Sequence, residues 1–170
     1  MLTKYIIRGK GLGNTIAKEF ATHNFRVVLI SRKKEHLDEY QEEFKAEGYE
    51  VYTKVADALY PETLTKAIDE ITTDLGTPDV LVYNVGITEP DGGRAITSEL
   101  LLQRYQIDAA SAYHCASLVA TDEFAGKKGA IIFTGGGFAK TFEPILFLKP
   151  LCIDKAAMNA MNNFIFTRGF

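Results

Sequence analysis

The sequence predicts a doubly wound α/β fold: a parallel sheet of about five strands, in the order 3-2-1-4-5, with helices on both faces. Three observations carry this prediction. Short apolar runs alternate with segments of helical periodicity along all 170 residues. The connections are long enough to contain helices, which is typical of parallel strands joined by right-handed crossovers. The apolar runs are nearly continuous, as expected for strands that are covered on both faces.

Each strand is predicted from an apolar, mostly β-branched run that stops at a glycine or a polar residue. The fifth of these runs ends at three consecutive glycines, Gly135 to Gly137. The predicted strands are 5–7, 25–30, 50–55, 79–83 and 129–134.

Helices are predicted where apolar residues recur at helical spacing. Pro61 is expected in a first turn, Gly48 and Gly76 are expected after helix ends, and Ser98 is expected to cap a long helix. The predicted helices are 14–22, 37–44, 61–75, 98 to about 124, and 155 to about 166. Residues 138–150 are expected to form a long apolar loop.

Composition excludes several classes of function. Hydrophobic residues make up 46% of the chain, charged residues 24%, and the net charge is −3, so no basic surface for nucleic acid or an anionic membrane is expected. Cys115, Cys152 and three scattered histidines have no metal-ligand spacing, and no metal is expected. We find no signal peptide or spanning segment, and we expect a reduced, cytoplasmic setting.

A glycine turn lies between the first predicted strand and the first helix. Gly9, Gly11 and Gly13 would let the backbone turn tightly and approach a pyrophosphate at the helix N-terminus. Asn14 stands where the common G-x-G-x-x-G pattern has its last glycine. The turn therefore favours a dinucleotide site, and a turn without a ligand is the alternative.

The end of the second strand bears on the choice of dinucleotide. Ser31, Arg32 and Lys33 stand where an NAD-binding sheet has an acidic residue for the ribose 2′-hydroxyl. An arginine can instead bind a 2′-phosphate with two parallel hydrogen bonds. This favours NADP(H) over NAD(H), and a solvated basic loop is the alternative.

Taken in order, these residues resemble the short-chain dehydrogenase/reductase family over essentially the whole chain. Asn84-Val85-Gly86 is similar to the family's Asn-Ala-Gly motif, and Lys155 to the lysine of its Tyr-x-x-x-Lys motif. The resemblance implies a Rossmann sheet, a nicotinamide cofactor and hydride transfer on a carbonyl/alcohol pair. The cofactor-binding residues that it implies are Gly9, Gly11, Leu12, Gly13, Ser31, Arg32, Lys33, Ala56, Asp57, Ala58, Asn84, Val85, Gly86 and Lys155.

The chain departs from the family at the catalytic positions. Leu151 stands at the tyrosine position, Gly136 near the serine position and Asp108 at the asparagine position, so only Lys155 remains. A leucine has no proton to give, and general acid catalysis is worth roughly 10²–10⁴ in rate. The Gly-Gly-Gly and Leu-x-x-x-Lys patterns are similar to those of a divergent subgroup of the family.

Three other residues are candidate replacement proton donors. Asp154 and Thr134 align close to the site, and Tyr113 follows Asp108 on the long helix but is expected to pack between helices. Cys152 is expected to be a packed thiol. The apolar residues of 138–148 favour a dimer contact, and the wall of a substrate pocket is the second interpretation.

We therefore expect an NADP(H)-dependent oxidoreductase that acts on an unknown small molecule. A catalytically silent NADP(H)-binding or regulatory module is the alternative, and a purely structural dimerisation domain is a third possibility. The resemblance predicts one nucleotide-binding domain over residues 1–170, C-terminally incomplete, with the fifth strand as an open edge. It also implies a homodimer or homotetramer formed through the long helices.

Overall fold

Five parallel strands form one sheet in the order β3-β2-β1-β4-β5, which is the expected order. The structure is a computed structural model that describes residues 3–8, 11–140 and 148–167; side chains are described for 11–137, 139–140 and 148–161. All four strand pairs are parallel, and β1 pairs with both β2 and β4. The strands are β1 (Thr3–Arg8), β2 (Arg26–Ser31), β3 (Val51–Val55), β4 (Val80–Asn84) and β5 (Ala130–Phe133).

Helices connect the strands and cover both faces of the sheet, as predicted. Seven α-helices are found in the described part of the chain, with a π-helical segment (Gln106–Ala110) between the fourth and the fifth. The helices are α1 (Leu12–Thr22), α2 (Lys34–Ala46), α3 (Pro61–Leu75), α4 (Ser98–Tyr105), α5 (Ser111–Val119), α6 (Asp122–Gly126) and α7 (Lys149–Thr167). None of the described helices is both long and apolar enough to cross a bilayer.

Two apolar cores hold the layers together, one on each face of the sheet. In β2 the alternation is complete: Val27 and Leu29 pack towards α1 and α2, whereas Val28 and Ile30 pack towards α3, α5 and α7. Side chains on neighbouring strand positions point to opposite faces, so a fully apolar strand feeds both cores. The sheet is thus buried at its centre, and its strand ends are held at one common edge.

The long helix expected over 98–124 is interrupted twice, which corrects the prediction. Its cap is Thr97 rather than Ser98, because the Thr97 hydroxyl accepts a hydrogen bond from the Leu100 amide at 3.2 Å. The π-helical segment inserts after α4, and the helical run stops at Val119. Thr121 then caps the separate helix α6.

The last helix begins at Lys149 and not at Lys155, a second correction. Pro150 lies in its first turn, where a missing amide hydrogen has no consequence. The Asp91 carboxylate accepts from the Lys149 amide at 3.1 Å and so caps the helix from a distant loop. Of the apolar loop expected over 138–150, residues 141–147 lie outside the described residues, and so do the pocket-wall and dimer-contact interpretations placed on them.

The strand β5 lies at one edge of the sheet and is less buried than β2 or β4. Its residues alternate between exposed and half-buried, and Ile132 is 43% exposed. The described helices therefore leave part of one face of β5 uncovered.

Candidate dinucleotide and catalytic site

A cavity of about 280 Å³ opens at the carboxyl ends of β2, β3 and β4. In an open α/β sheet, ligands bind at this edge, next to the point where the strand order reverses. Eight of the fourteen residues that the family resemblance implies for cofactor binding line it. They are Ser31, Arg32, Lys33, Ala56, Asp57, Ala58, Val85 and Gly86.

One end of the cavity is basic. Ser31 ends β2, and Arg32 and Lys33 are exposed in the short turn that leads into α2. His36 and Tyr40, which lie one turn apart on α2, also line this end. The sequence prediction missed both residues. The signal was their spacing: they are four residues apart, which places them on one face of the helix that follows Arg32 and Lys33.

The floor of the cavity is a rigid turn after β3. The Asp57 carboxylate accepts from the Leu59 amide at 3.0 Å, and the Asp57 amide donates to the Thr63 hydroxyl at 3.0 Å. The Ala58 carbonyl accepts from the buried Ser111 hydroxyl at 2.6 Å, which ties the turn to α5. These hydrogen bonds fix the turn before any ligand arrives.

Of the glycine turn, the described residues Gly11, Leu12 and Gly13 do not line the cavity. Gly11 has φ +86°, a conformation that favours glycine, and Gly13 is buried. Leu12 is 59% exposed. The other predicted residue of this turn, Gly9, lies outside the described residues.

The opposite end of the cavity meets α7 at Gly86. A Cβ placed on Gly86 would lie 3.6 Å from the Lys155 Nζ and 3.8 Å from the Leu151 Cδ1. The Lys155 Nζ donates to the Val85 carbonyl at 3.1 Å. Lys155 and Leu151 therefore flank the end of β4, close to but outside the cavity lining, while Asn84, at the last position of β4, is half-buried.

Four buried charged residues cluster behind this end, two acidic and two basic. Arg104 on α4, Asp108 in the π-helical segment, and Asp154 and Lys155 on α7 are each less than 10% exposed. Burial lowers the pKa of Lys155, while Asp108 and Asp154 act to raise it. Arg104 was not singled out by sequence reasoning, although its spacing of four residues from Asp108 was a signal.

The two acidic residues of the cluster differ in their hydrogen bonds. Both oxygens of Asp108 accept from the Ile87 amide, at 3.1 and 3.0 Å. Among the described residues, neither oxygen of Asp154 has a hydrogen-bond partner. Burial, and then the charge of Asp108, raises the pKa of Asp154 to about 7.

The remaining candidate proton donors are poorly placed. The Thr134 hydroxyl donates back to the Tyr83 carbonyl at 3.3 Å, and burial raises the pKa of the Cys152 thiol. Tyr113 is 54% exposed on α5, which corrects the expectation that it packs between helices. Gly136 has φ −178°, an extended conformation that any residue can adopt. The backbone conformation therefore does not require a glycine at this position.

Solved structures of similar fold include an actinorhodin polyketide ketoreductase with NADPH. It has a TM-score of 0.85 and 18% identity, and the match covers 99% of this chain and 66% of that one. A gluconate 5-dehydrogenase from Burkholderia cenocepacia, in complex with NADP and tartrate, has a TM-score of 0.83 and 23% identity over 96% of this chain and 64% of that one. At these identities the likeness shows the α/β fold.

Sequence comparison gives the family. Gluconate 5-dehydrogenase of Gluconobacter oxydans is 37% identical over 78 residues, which are 46% of this chain and 30% of that protein. The chain thus matches less than half of this relative's length. The family model described as short chain dehydrogenase matches residues 6–162. The chain therefore belongs to the short-chain dehydrogenase family.

Proposed function

We propose that the chain is the nucleotide-binding part of an NADP(H)-dependent oxidoreductase that transfers hydride on a carbonyl/alcohol pair. The observation that carries the proposal is the cavity at the strand ends, with a basic turn at one end and Lys155 near the other. The bound dinucleotides named for two similar structures, NADPH and NADP, support the choice of cofactor.

The basic end suits a 2′-phosphate. Among the described residues, neither Arg32 nor Lys33 has an ion-pair partner, whereas the next residue, Lys34, is paired with Asp38 at 2.6 Å. Unpaired cations at a cavity are free to bind an anion, and an arginine fork matches phosphate geometry. The Ser31 hydroxyl adds a donor at the same place.

The rest of the cavity suits the adenosine moiety. Ala56 and Ala58 leave room above the turn after β3, and Val85 and Gly86 form the opposite wall. Gly11 permits a tight turn at the start of α1, whose first-turn amides can bind a pyrophosphate. The residues of this chain therefore fit the dinucleotide, and Lys155 would help to hold its nicotinamide end.

The chain's own contribution to catalysis is positioning and charge. The dinucleotide, when bound, supplies hydride chemistry. Lys155 is held by the Val85 carbonyl and places a cation beside the end of β4. Leu151 is buried next to it and excludes water without offering a proton.

The proposal is tested by Arg32→Ala, measured by calorimetric titration with NADPH and with NADH. Loss of a charge-assisted hydrogen bond is worth about 1.5–3 kcal/mol, so NADPH binding should weaken roughly 10- to 100-fold. NADH lacks the 2′-phosphate and should bind about as before.

Lys34→Ala is the matched control, because Lys34 neighbours the turn but does not line the cavity. It should leave both affinities nearly unchanged. Equal losses for NADPH and NADH in Arg32→Ala would contradict the 2′-phosphate assignment, and absence of dinucleotide binding by the wild-type chain would contradict the proposed function.

A catalytically silent NADP(H)-binding module is the second candidate, and Leu151 and Gly136 favour it. It predicts tight NADPH binding without turnover of any carbonyl or alcohol. The double variant Leu151→Tyr with Gly136→Ser restores the two missing hydroxyls at positions where the backbone permits them. Turnover by the double variant but not by the wild type would support a silent module that lacks only the two hydroxyls. Turnover by the wild type would exclude the silent module.

We also propose self-association through the long helices. Leu102 on α4 is 66% exposed, and Tyr113 on α5 and Ile153 on α7 are also exposed, as expected of helices that bury a face against another subunit. Sedimentation velocity should find a dimer or tetramer, and Leu102→Glu should shift it towards monomer. Val55→Glu, an exposed apolar residue at the other edge of the sheet, is the control.

A further inference from the structure

In the cluster of Arg104, Asp108, Asp154 and Lys155, Asp154 alone has no side-chain hydrogen bond among the described residues. The Arg104 Nη1 donates to the Glu89 carbonyl at 3.0 Å, and the Lys155 Nζ and the Asp108 oxygens also have backbone partners. Asp154 is 0% exposed, and both of its oxygens lack a partner among the described residues. A buried carboxyl without donors is stabilised in its protonated form.

The charged groups that face Asp154 come from three helical elements. Arg104 on α4 and Asp108 in the π-helical segment lie across from it, and Lys155 is its neighbour on α7. Tyr83 on β4 lies behind Asp108, and the Tyr83 hydroxyl donates to the Ile107 carbonyl. Because the pKa of Tyr83 is raised well above its ordinary value, this phenol stays neutral and does not alter the charge of the cluster.

The protonation of Asp154 decides the net charge of the cluster. Asp108 accepts two contacts from a backbone amide and is the carboxyl better suited to hold a negative charge. With Asp108 ionised and Asp154 protonated, the cluster carries one net positive charge. With both ionised, it is neutral.

This change of charge occurs next to the cavity. Asp154 lies between Leu151 and Lys155 in the sequence of α7, and both of those side chains reach within 4 Å of a Cβ placed on Gly86. Gly86 lines the cavity on the side away from Arg32. A charge gained or lost at Asp154 therefore acts on whatever occupies this end.

We propose that Asp154 is a positioning residue that sets the charge at the Lys155 end of the cavity and thereby discriminates between oxidised and reduced dinucleotide. The inference rests on the proposed function. The oxidised nicotinamide ring carries a positive charge that the reduced ring lacks. Ionised Asp154 should therefore favour NADP⁺, and protonated Asp154 should disfavour it relative to NADPH.

Coupling of this kind is reciprocal. If ionised Asp154 strengthens NADP⁺ binding, then NADP⁺ binding must draw the proton from Asp154 into solvent. NADPH binding should release fewer protons, because its nicotinamide ring is neutral. The proton released therefore reports on Asp154 without any substrate or turnover.

The test is the ratio of the NADP⁺ to the NADPH dissociation constant, measured by calorimetry from about pH 5.5 to about pH 8.5. In the wild type, the affinity for NADP⁺ should increase roughly three- to tenfold relative to the affinity for NADPH as pH rises. This is the effect of one unit charge at a protein's effective dielectric constant. The ratio cancels titration of the 2′-phosphate, which both ligands share. Asp154→Asn should give a flat ratio, and Asp38→Asn, an exposed carboxyl on α2, should keep the wild-type slope.

A second measurement on the wild type covers the case in which Asp154→Asn does not fold. Titrations near pH 7 in buffers of different ionisation enthalpy should give more proton release with NADP⁺ than with NADPH. Equal release, or a flat wild-type ratio with both ligands bound, would overturn the inference and leave the proposed function standing. Failure of both dinucleotides to bind would overturn the two together.

Discussion

The two ends of the cavity use charge in opposite ways. At the β2 end, Arg32 and Lys33 are exposed, and neither has an ion-pair partner among the described residues. At the β4 end, Lys155 is buried in a cluster with two carboxyls and Arg104. Exposed cations contribute little to folding, whereas buried charges are costly unless they are compensated.

This contrast separates binding from stability. Substitutions at the β2 end should change ligand affinity and leave the free energy of unfolding nearly unchanged. Substitutions at the β4 end should change the free energy of unfolding as well. Four substitutions test that division, from the largest expected effect on stability to the smallest.

Lys155→Met should lower the free energy of unfolding by about 3–5 kcal/mol, because it leaves Asp108 and Asp154 buried without the cation that acts on them most strongly. Urea denaturation measures it. Lys54→Met, which breaks a partly exposed ion pair with Glu70, is the control and should cost less than about 1 kcal/mol. Similar losses in the two variants would mean that the cluster is not held by charge.

Asp154→Asn should change how stability depends on pH. The pKa of Asp154 is about 7 in the folded protein against an ordinary 3.8, so the folded state binds more protons between these values. Stability is therefore highest at low pH for this group and falls as pH rises through about 7. Asparagine does not titrate, so the variant should lose about 1–3 kcal/mol less of its free energy of unfolding over this pH range. The expected difference is limited to this size because the charge of Asp108 also contributes to the raised pKa of Asp154. Parallel curves for wild type and variant in denaturation from about pH 4 to about pH 8 would contradict the assignment.

Asp91→Ala should destabilise the protein by about 1 kcal/mol, because it removes the cap of α7. The Asp91 carboxylate also accepts from the Gly93 amide at 2.8 Å, so the loop after β4 loses a contact as well. Thermal melting measures the loss. Glu39→Ala, an exposed carboxylate on α2, serves as the control, and an equal effect there would mean that the cap contributes nothing.

Lys33→Ala should have the smallest effect on folding, less than about 0.5 kcal/mol, because the side chain is exposed. It should nevertheless weaken NADPH binding, since the ammonium lies at the basic end of the cavity. A loss of stability without a loss of affinity would reverse the proposed division between the two ends.

Much of the fold is predictable from the sequence because its strands are locally unambiguous. All five strands lie within one or two residues of their predicted positions, since β-branched runs such as 26–31 have no helical periodicity. The apolar residues of α3 recur at helical spacing, and Leu64, Ala67, Ile68 and Ile71 are buried as that spacing predicts. The residues of the basic turn are predicted from their position directly after the second strand, where an acidic residue is missing.

The breaks in the helices could not be predicted in the same way. A π-helical segment adds about one residue per turn without a distinctive composition, so the sequence predicts a continuous helix through 106–110. The start of α7 did have a signal, Pro150 in a first turn, but its capping residue, Asp91, is 58 residues away. Caps and charge clusters that join distant segments depend on the tertiary fold.

The most direct test of the 2′-phosphate site is to compare the thermal stabilisation of the wild-type chain by NADPH with that by NADH. The basic end of the cavity predicts that NADPH at about 100 times its dissociation constant adds about 2.7 kcal/mol of stability. For a chain of this size that raises the melting temperature by about 5–10 °C. NADH at the same concentration should raise it much less. Equal shifts would contradict the 2′-phosphate site, and no shift with either dinucleotide would contradict the proposed function itself.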